Sequence, residues 1–277
     1  MIELLKYLIL GIIQGITEPI PVSSSGHILI FKKIIENITN QTSTIDFETF
    51  AILTNFGSLI AILIIFRKDI IRLIKSFFMY LFNKERQLES KSDFDYCLKI
   101  VLATIPAGLI GIIVTKLGLL DKLEENMKFL GLMLVATSLF LYLIKDFKGV
   151  KNDKRLSFKD AIIIGIYQMI ALIPGISRSG ATIVGGMFRG LKRETAFTFS
   201  FMLYIPISLA TMVLGIKNLT EISISSTEWL YYIIGVFMAF IFTFVTTKWY
   251  GKIVKEGKLI YFSIYCLIVG LLVMIFL

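Results

Sequence analysis

The chain has 277 residues, of which 56% are hydrophobic and 18% charged, and its mean hydropathy is +0.80. Soluble domains are about half apolar and a quarter charged, so this composition excludes an ordinary water-soluble globule. The apolar stretches are continuous rather than alternating, which favours membrane helices over a membrane β-barrel. The net charge of +9 resides mainly in the connections between these stretches, as in oriented membrane proteins, and no nucleic-acid partner is expected.

Six apolar segments predict transmembrane helices. They are Phe50–Phe66, Ile100–Val114, Phe129–Ile144, Thr195–Leu214, Trp229–Thr247 and Leu259–Leu277. A shorter apolar segment, Ile70–Phe82, is bounded by basic residues and predicts a helix at the membrane interface.

Two further apolar stretches, Leu4–Phe31 and Ala161–Phe188, are interrupted midway by prolines, glycines and serines. Proline breaks a helix and serine caps the next one, so each stretch predicts a re-entrant helical hairpin. Non-helical backbone at membrane depth survives only inside protein or beside a water-filled cavity. The expected fold class is an all-α polytopic membrane protein with six transmembrane helices and two re-entrant hairpins.

The two interrupted stretches also resemble each other. GIIQGITEPIPVSSSG begins at Gly11 and GIYQMIALIPGISRSG begins at Gly165, 154 positions later. Each half then contains three spans, and because three is odd the second half starts from the opposite side of the membrane. We therefore expect a single membrane domain, 1–277, built from inverted repeats at about 1–145 and 155–277. Such repeats bring functional sites to the bilayer midplane.

In the first interruption, Gln14 and Glu18 share a helix face because they are four residues apart. A charged side chain at the centre of a membrane helix costs roughly 2.5 to 3.5 kcal/mol, so Glu18 is a candidate functional residue. Polar residues then open a new helix, whose free N–H groups predict an anion site. They are Ser23, Ser24, Ser25, Gly26 and the sole histidine, His27. The alternative is structural: a protonated Glu18 beside a serine-capped turn.

In the second interruption, Arg178 is the only one of 29 basic residues that lies within the core of a hairpin. The rigid guanidinium fork suits bidentate binding of phosphate. Three hydroxyl residues, Ser177, Ser179 and Thr182, accompany it at another helix start. An ion pair with Glu18 is the alternative role. Together the two turns predict phosphoryl chemistry at mid-membrane, without a Walker A pattern for ATP.

These residues resemble three motifs of the bacterial undecaprenyl-diphosphate phosphatase family, which is known for bacitracin resistance. The family's Glu/Gln-x-x-x-Glu appears at Gln14–Glu18, its Pro-Val-Ser-Ser-x-Gly-His at Pro21–His27, and its Pro-Gly-x-Ser-Arg-Ser-Gly-Ala-Thr at Pro174–Thr182. The resemblance covers essentially the whole chain. Gln14 stands where some members carry glutamate, which removes one possible carboxylate ligand or base.

The resemblance implies hydrolysis of undecaprenyl diphosphate to undecaprenyl phosphate and inorganic phosphate. This reaction recycles the lipid carrier for cell-wall synthesis in the bacterial inner membrane. The resemblance also implies dependence on Mg²⁺ or Ca²⁺ and a frequent homodimer.

Spacing suggests how the residues divide the chemistry. We expect Ser24 to attack phosphorus with Glu18 or His27 as base, since a serine hydroxyl is a weak nucleophile alone. Arg178 is expected to hold the phosphates with Ser177 and Thr182, and Glu18 to bind the metal. Direct attack by His27, or by a bound water, remains the alternative.

A carrier is the competing hypothesis for the whole protein. Inverted repeats with broken helices are common in transporters, so the same site would translocate a polyprenyl phosphate or another anion, with hydrolysis secondary or absent. A purely structural scaffold is disfavoured by the polar motifs within apolar segments.

Charge counting predicts the orientation. Of the 29 basic residues, 21 fall in four connections that would share one side of the membrane and seven fall on the other side. By the positive-inside rule, Arg67–Lys99 and Lys145–Lys159 face the cytoplasm. Both termini and the Lys32–Asp46 connector face outward, and the site opens to the outer face.

Cysteine labelling tests this orientation. In a variant whose two native cysteines are replaced, Arg86→Cys or Asn152→Cys should react with a membrane-impermeant maleimide only after the cells are permeabilised. Labelling of either position in intact cells would contradict the predicted topology.

Overall fold

A computed structural model describes residues 2–39, 45–119, 121–221 and 224–277. Within these ranges the chain is helical and forms no β-sheet; one isolated bridge joins Lys151 and Leu191. The helices are α1 (Ile2–Thr17), α2 (Ser24–Thr39), α3 (Phe47–Ile65), α4 (Arg67–Phe82), α5 (Gln87–Lys116), α6 (Asp121–Glu124), α7 (Met127–Leu143), α8 (Phe158–Ile170), α9 (Arg178–Phe188), α10 (Arg193–Glu221), α11 (Ser226–Glu256) and α12 (Ile260–Phe276). Part of the Lys32–Asp46 connector, residues 40–44, lies outside the described residues.

The six segments predicted to span the membrane are all helical, within α3, α5, α7, α10, α11 and α12. Four helices are long and apolar enough to cross a bilayer: α3, α5, α10 and α11. The other two, α7 and α12, are apolar helices of 17 residues each. The chain is therefore a multi-pass membrane protein. The short segment Ile70–Phe82 is also helical, as part of α4.

The first predicted interruption is confirmed as a break between two helices. α1 ends at Thr17, one residue before Glu18-Pro19, and α2 begins at Ser24. Ser23 closes the turn with φ of 69°, a left-handed conformation that is uncommon for residues other than glycine. Such backbone strain persists where the surrounding structure fixes it, and it concentrates at functional sites.

The second interruption has the same form. α8 ends at Ile170 and α9 begins at Arg178, with Pro174 and Gly175 between them. Gly175 has φ of +93°, and a Cβ added there would lie 2.7 Å from the Cβ of Met133. Glycine is needed at this position both for its backbone conformation and for the close approach of α7.

The helices that precede the two turns each pack against the other half of the chain. α1 packs along α11, and α8 packs along α5. Small residues allow both approaches: a Cβ added to Gly11 would lie 2.4 Å from the Gly235 carbonyl oxygen, and one added to Gly165 would lie 2.5 Å from that of Ala103. Close backbone contacts of this kind are typical of membrane helix packing. Each turn is thus held in place by a helix from the other half.

A buried carboxylate fixes the end of α8 that is remote from its turn. Asp160 is fully buried and accepts hydrogen bonds from Lys151 Nζ at 2.9 Å and Arg189 Nε at 2.7 Å. Burial raises the pKa of Asp160, but hydrogen bonds from Lys151, Ser157 and Arg189 outweigh it and lower the pKa to about 2. The paired charges tie the connector before α8 to the end of α9.

The helix contact at Gly165 can be tested by adding a single methyl group. Gly165→Ala should force α8 away from α5 and lower the free energy of unfolding by about 1–3 kcal/mol, as overpacking does. Thermal unfolding in detergent measures this loss. Gly108→Ala on α5 is the control, because its added Cβ would meet no atom within 4 Å. Equal midpoints for the two variants would contradict the packing argument.

Candidate active site

The carboxylate of Glu18 is the centre at which the two turns meet. It accepts hydrogen bonds from Gln14 Nε2 at 3.0 Å and from Ser24 Oγ at 2.5 Å. From the second turn, Arg178 Nη2 forms an ion pair and hydrogen bond with Glu18 Oε1. The structure therefore brings together four of the predicted residues, which lie up to 164 positions apart in the sequence.

Burial explains why this ion pair forms. The Glu18 side chain is only 9% exposed and the Arg178 side chain 21% exposed. An isolated charge in such surroundings is costly, and removing one partner of a buried pair typically destabilises a protein by about 3–5 kcal/mol. Pairing therefore offsets the cost of burying each of the two charges.

The two turns present equivalent helix starts to Glu18. Ser23 Oγ accepts a hydrogen bond from Gly26 N at 3.3 Å, and Ser177 Oγ accepts one from Gly180 N at 3.1 Å. The next residue in each turn is the first of its helix and contacts Glu18: Ser24 in α2 and Arg178 in α9, again 154 positions apart. One serine cap in each half thus aims a hydroxyl or a guanidinium at the same carboxylate.

Two side chains hold the Arg178 guanidinium: the aromatic ring of Tyr204 and the carboxylate of Glu18. The guanidinium carbon lies 4.1 Å from the centre of the Tyr204 ring, a cation–π contact. The Tyr204 hydroxyl in turn donates a hydrogen bond to Asn55 Oδ1 at 2.6 Å. The second amino group, Nη1, is buried and has no hydrogen-bond partner in the described part of the chain. An unsatisfied cationic donor is the group that an oxyanion would complete.

The other hydroxyls of the second turn hold the two turns and α10 together. Ser179 Oγ donates to the Ile20 carbonyl oxygen at 3.2 Å, which joins the second turn to the first. Thr182 Oγ1 lies 2.6 Å from Ser200 Oγ of α10 and also donates to the Arg178 carbonyl oxygen. These predicted phosphate-binding residues surround Arg178, with their hydroxyl groups already bonded within the protein.

His27 faces a different partner from Ser24. Its Nδ1 lies 2.8 Å from the Ser23 carbonyl oxygen and its Nε2 lies 2.8 Å from the Tyr265 hydroxyl, whose ring stacks on the imidazole. The structure shows no hydrogen bond from His27 to Glu18 or Ser24. Ser25 is exposed beside it, and Gly26 is buried. The spacing of Ser24 and His27 therefore does not bring the two side chains into contact.

Little free space remains beside the ion pair. Glu18, Arg178 and Tyr204 line a cavity of about 10 Å³, with Pro19, Ile62, Ser179, Ser200 and Phe201 completing its wall. By this measure the space is about that of one water molecule. A diphosphate group is larger, so binding one beside Arg178 requires some of the side chains that line this cavity to move.

The oxygen atoms around Glu18 fit a divalent cation only in part. Across the described ranges, no three His, Cys, Asp or Glu side chains lie close enough together to hold a metal ion. Glu18 supplies one carboxylate and Ser24 a hydroxyl oxygen beside it, whereas Gln14 turns its amide nitrogen toward Glu18. Mg²⁺ is commonly bound by one or two carboxylates together with substrate phosphates. The donor set therefore fits a cation that is shared with a phosphate ligand.

Sequence reasoning did not find the residues that support Arg178 and the second turn. Tyr204 and Asn55 lie within predicted spans, and Thr137 of α7 donates to the Gly175 carbonyl oxygen at 3.1 Å. Tyr265, which contacts His27, lies on α12. Polar residues inside apolar spans were the available signal, but nothing in their spacing indicates which turn each one contacts.

The fold and the site define a class: multi-pass membrane proteins with a buried polar cluster between two interrupted helical segments. The family model described as bacitracin resistance protein BacA matches residues 7–272, and the chain belongs to this family. The resemblance inferred from the three motifs is thereby confirmed.

Relatives match this chain over nearly its whole length. It is 45% identical over 274 residues to undecaprenyl-diphosphatase 2 of Bacillus thuringiensis strain Al Hakam, covering 99% of this chain and 98% of the relative. It is 42% identical over 275 residues to undecaprenyl-diphosphatase of Oceanobacillus iheyensis, covering 99% and 97%. Undecaprenyl-diphosphatase 1 of Halalkalibacterium halodurans is 40% identical over 274 residues, covering 98% and 95%.

Proposed function

We propose that this chain hydrolyses undecaprenyl diphosphate to undecaprenyl phosphate and inorganic phosphate, which recycles the lipid carrier for cell-wall synthesis and confers bacitracin resistance. The observation that carries this proposal is the single carboxylate, Glu18, that contacts both a serine hydroxyl and an arginine from the two turns. The names of relatives at 40–45% identity favour a phosphatase over the carrier alternative.

The proposed architecture is six transmembrane helices and two re-entrant hairpins in two inverted repeats. The reciprocal packing of α1 on α11 and of α8 on α5 supports it, as does the use of Gly11 and Gly165, 154 positions apart, at the two contacts. The basic connections favour a site open to the outer face of the bacterial inner membrane. A homodimer is part of the same proposal and rests on the family resemblance alone.

Substrate binding begins with an exchange at Arg178. A diphosphate oxygen occupies the unpartnered Nη1 and competes with Glu18 for Nη2, because phosphate and carboxylate bind the guanidinium fork in the same way. The positive end of the α9 helix dipole adds to the attraction. The lipid tail stays in the bilayer, while Ser177, Ser179 and Thr182, with Ser23, Ser25 and Gly26 opposite, border the head group.

Displaced from Arg178, Glu18 is the base for Ser24. The Ser24 hydroxyl already donates to Glu18 at 2.5 Å, so the carboxylate can accept its proton as Oγ attacks the terminal phosphorus. The new Oγ–P bond replaces the bond to undecaprenyl phosphate, which leaves. Water then cleaves the phosphoserine ester: the proton on Glu18 returns to Oγ, and the proton lost by the water leaves with inorganic phosphate.

His27 is less well placed for attack than Ser24, because both ring nitrogens are already bonded, to Ser23 and Tyr265. Its proposed contribution is to hold the turn that carries Ser24. Glu18 would hold a Mg²⁺ or Ca²⁺ ion, which would neutralise charge on the diphosphate.

Phosphate release tests the function directly. Purified protein in detergent should release inorganic phosphate from undecaprenyl diphosphate in the presence of Mg²⁺ or Ca²⁺. Arg178→Lys keeps the charge but loses the fork, so turnover should fall on the order of tenfold or more. Substrate binding without phosphate release would support a carrier, and near-normal activity in both Arg178→Lys and Arg178→Ala would reject the role of Arg178.

Trapping the intermediate identifies the nucleophile. Rapid acid quench during turnover of substrate labelled in its terminal phosphate should yield acid-stable phosphoserine at Ser24. Ser24→Ala should lose both the label and turnover, whereas Ser92→Ala, on the exposed early part of α5, should keep both. An acid-labile phosphohistidine at His27, or full activity in Ser24→Ala, would overturn the assignment.

A further inference from the structure

Tyr204 is a buried aromatic residue at the wall of the site. It lies on α10, is 3% exposed and lines the same small cavity as Glu18 and Arg178. The Arg178 guanidinium carbon lies 4.1 Å from the ring centre. At this distance a desolvated cation–π contact is among the stronger ones found in proteins. The contact places the guanidinium carbon over the ring, while Nη2 is bonded to Glu18 and Nη1 has no partner among the described residues.

The Tyr204 ring is itself anchored from a second helix. Its hydroxyl donates to Asn55 Oδ1 at 2.6 Å and lies 3.2 Å from the Asn55 carbonyl oxygen, both on α3. Ser208, one turn further along α10, reaches the same amide oxygen at 3.5 Å. The ring is therefore restrained at the hydroxyl end by hydrogen bonds to α3 and by the backbone of α10 at the other end.

A bound anion affects the two contacts of Arg178, with Glu18 and with Tyr204, in different ways. The Glu18 ion pair is on an edge of the fork, where a diphosphate oxygen competes for the same donor. The Tyr204 contact is with an aromatic ring, and a diphosphate oxygen that takes an N–H donor does not compete for it. Without it, a released arginine side chain would regain much of its rotamer freedom, and ordering it again costs free energy.

We propose that Tyr204, anchored by Asn55, is a positioning residue that fixes the plane of the Arg178 guanidinium, so that Nη1 and Nη2 stay aligned for the diphosphate while Glu18 is displaced. This inference rests on the proposed phosphatase function and adds to it a residue that acts through Arg178. It differs from a simple packing role, because a packing role would not depend on the chemical nature of residue 178.

A double-mutant cycle on the full-length protein distinguishes the two roles. The variants are Tyr204→Leu and Tyr204→Phe, each made with Arg178 and with Arg178→Lys, and the measurement is kcat/KM for phosphate release from undecaprenyl diphosphate. Tyr204→Leu removes the aromatic face and should lower kcat/KM on the order of tenfold. In the Arg178→Lys background the loss should be less than about threefold, because an ammonium group has no plane to fix. Tyr204→Phe keeps the ring and should lose less than Tyr204→Leu.

Tyr250 provides the matched control. It is a fully buried tyrosine on α11 whose hydroxyl has no partner among the described residues. Tyr250→Leu should lower thermal stability without coupling to Arg178. If Tyr204→Leu fails to fold, Asn55→Ser replaces it in the cycle, since it removes the amide oxygen that anchors the ring and should show the same dependence on Arg178.

Equal losses in the two backgrounds would reject the positioning role and leave the phosphatase function standing. A wild-type protein that releases no phosphate would reject the phosphatase function itself, so the two failures are distinguishable.

Discussion

The ion pair between Glu18 and Arg178 is the interaction on which the arrangement of the site depends. Each charge lies in an interrupted helix inside an apolar protein, where it would be costly to keep alone. Pairing across the two turns satisfies both charges and requires that the turns lie side by side. The close glycine contacts of α1 and α8, the hydrogen bond from Ser179 to Ile20 and the buried Asp160 cluster all hold the helices that make this approach possible.

In the proposed mechanism, the same pair makes the site responsive to an anion. Glu18 neutralises Arg178 and at the same time accepts the hydroxyl proton of Ser24. A ligand that takes over the guanidinium returns a free carboxylate to the serine beside it. Anion binding and activation of the Ser24 hydroxyl are thereby linked through the Glu18 side chain. Across the described ranges, no cluster of three metal-binding side chains is present to share this role.

The two turns share a serine cap but differ in chemistry. Ser23 and Ser177 cap their helices in the same way, and Ser24 and Arg178 are the first residues of those helices. Glu18, however, corresponds to Leu172 at the 154-residue spacing. One half therefore supplies the carboxylate and the hydroxyl, and the other supplies the cation. In the proposed inverted-repeat architecture, this division of roles explains how two similar turns form a single asymmetric site.

The sequence by itself determined the membrane class, the positions of six apolar helical segments, the two interruptions and the candidates Gln14, Glu18, Ser24 and Arg178. Hydrophobic runs, helix-breaking prolines and charges in apolar segments are local signals with large free energies, so they can be read without a structure. Only the tertiary structure decided that Tyr204 and Asn55 support Arg178, that His27 bonds Tyr265, and that Thr182 bonds Ser200. These contacts join residues that are remote in sequence, and each side chain has several possible partners of similar energy. Helix packing, set largely by close contacts such as that of Gly165 with Ala103, selects one of them.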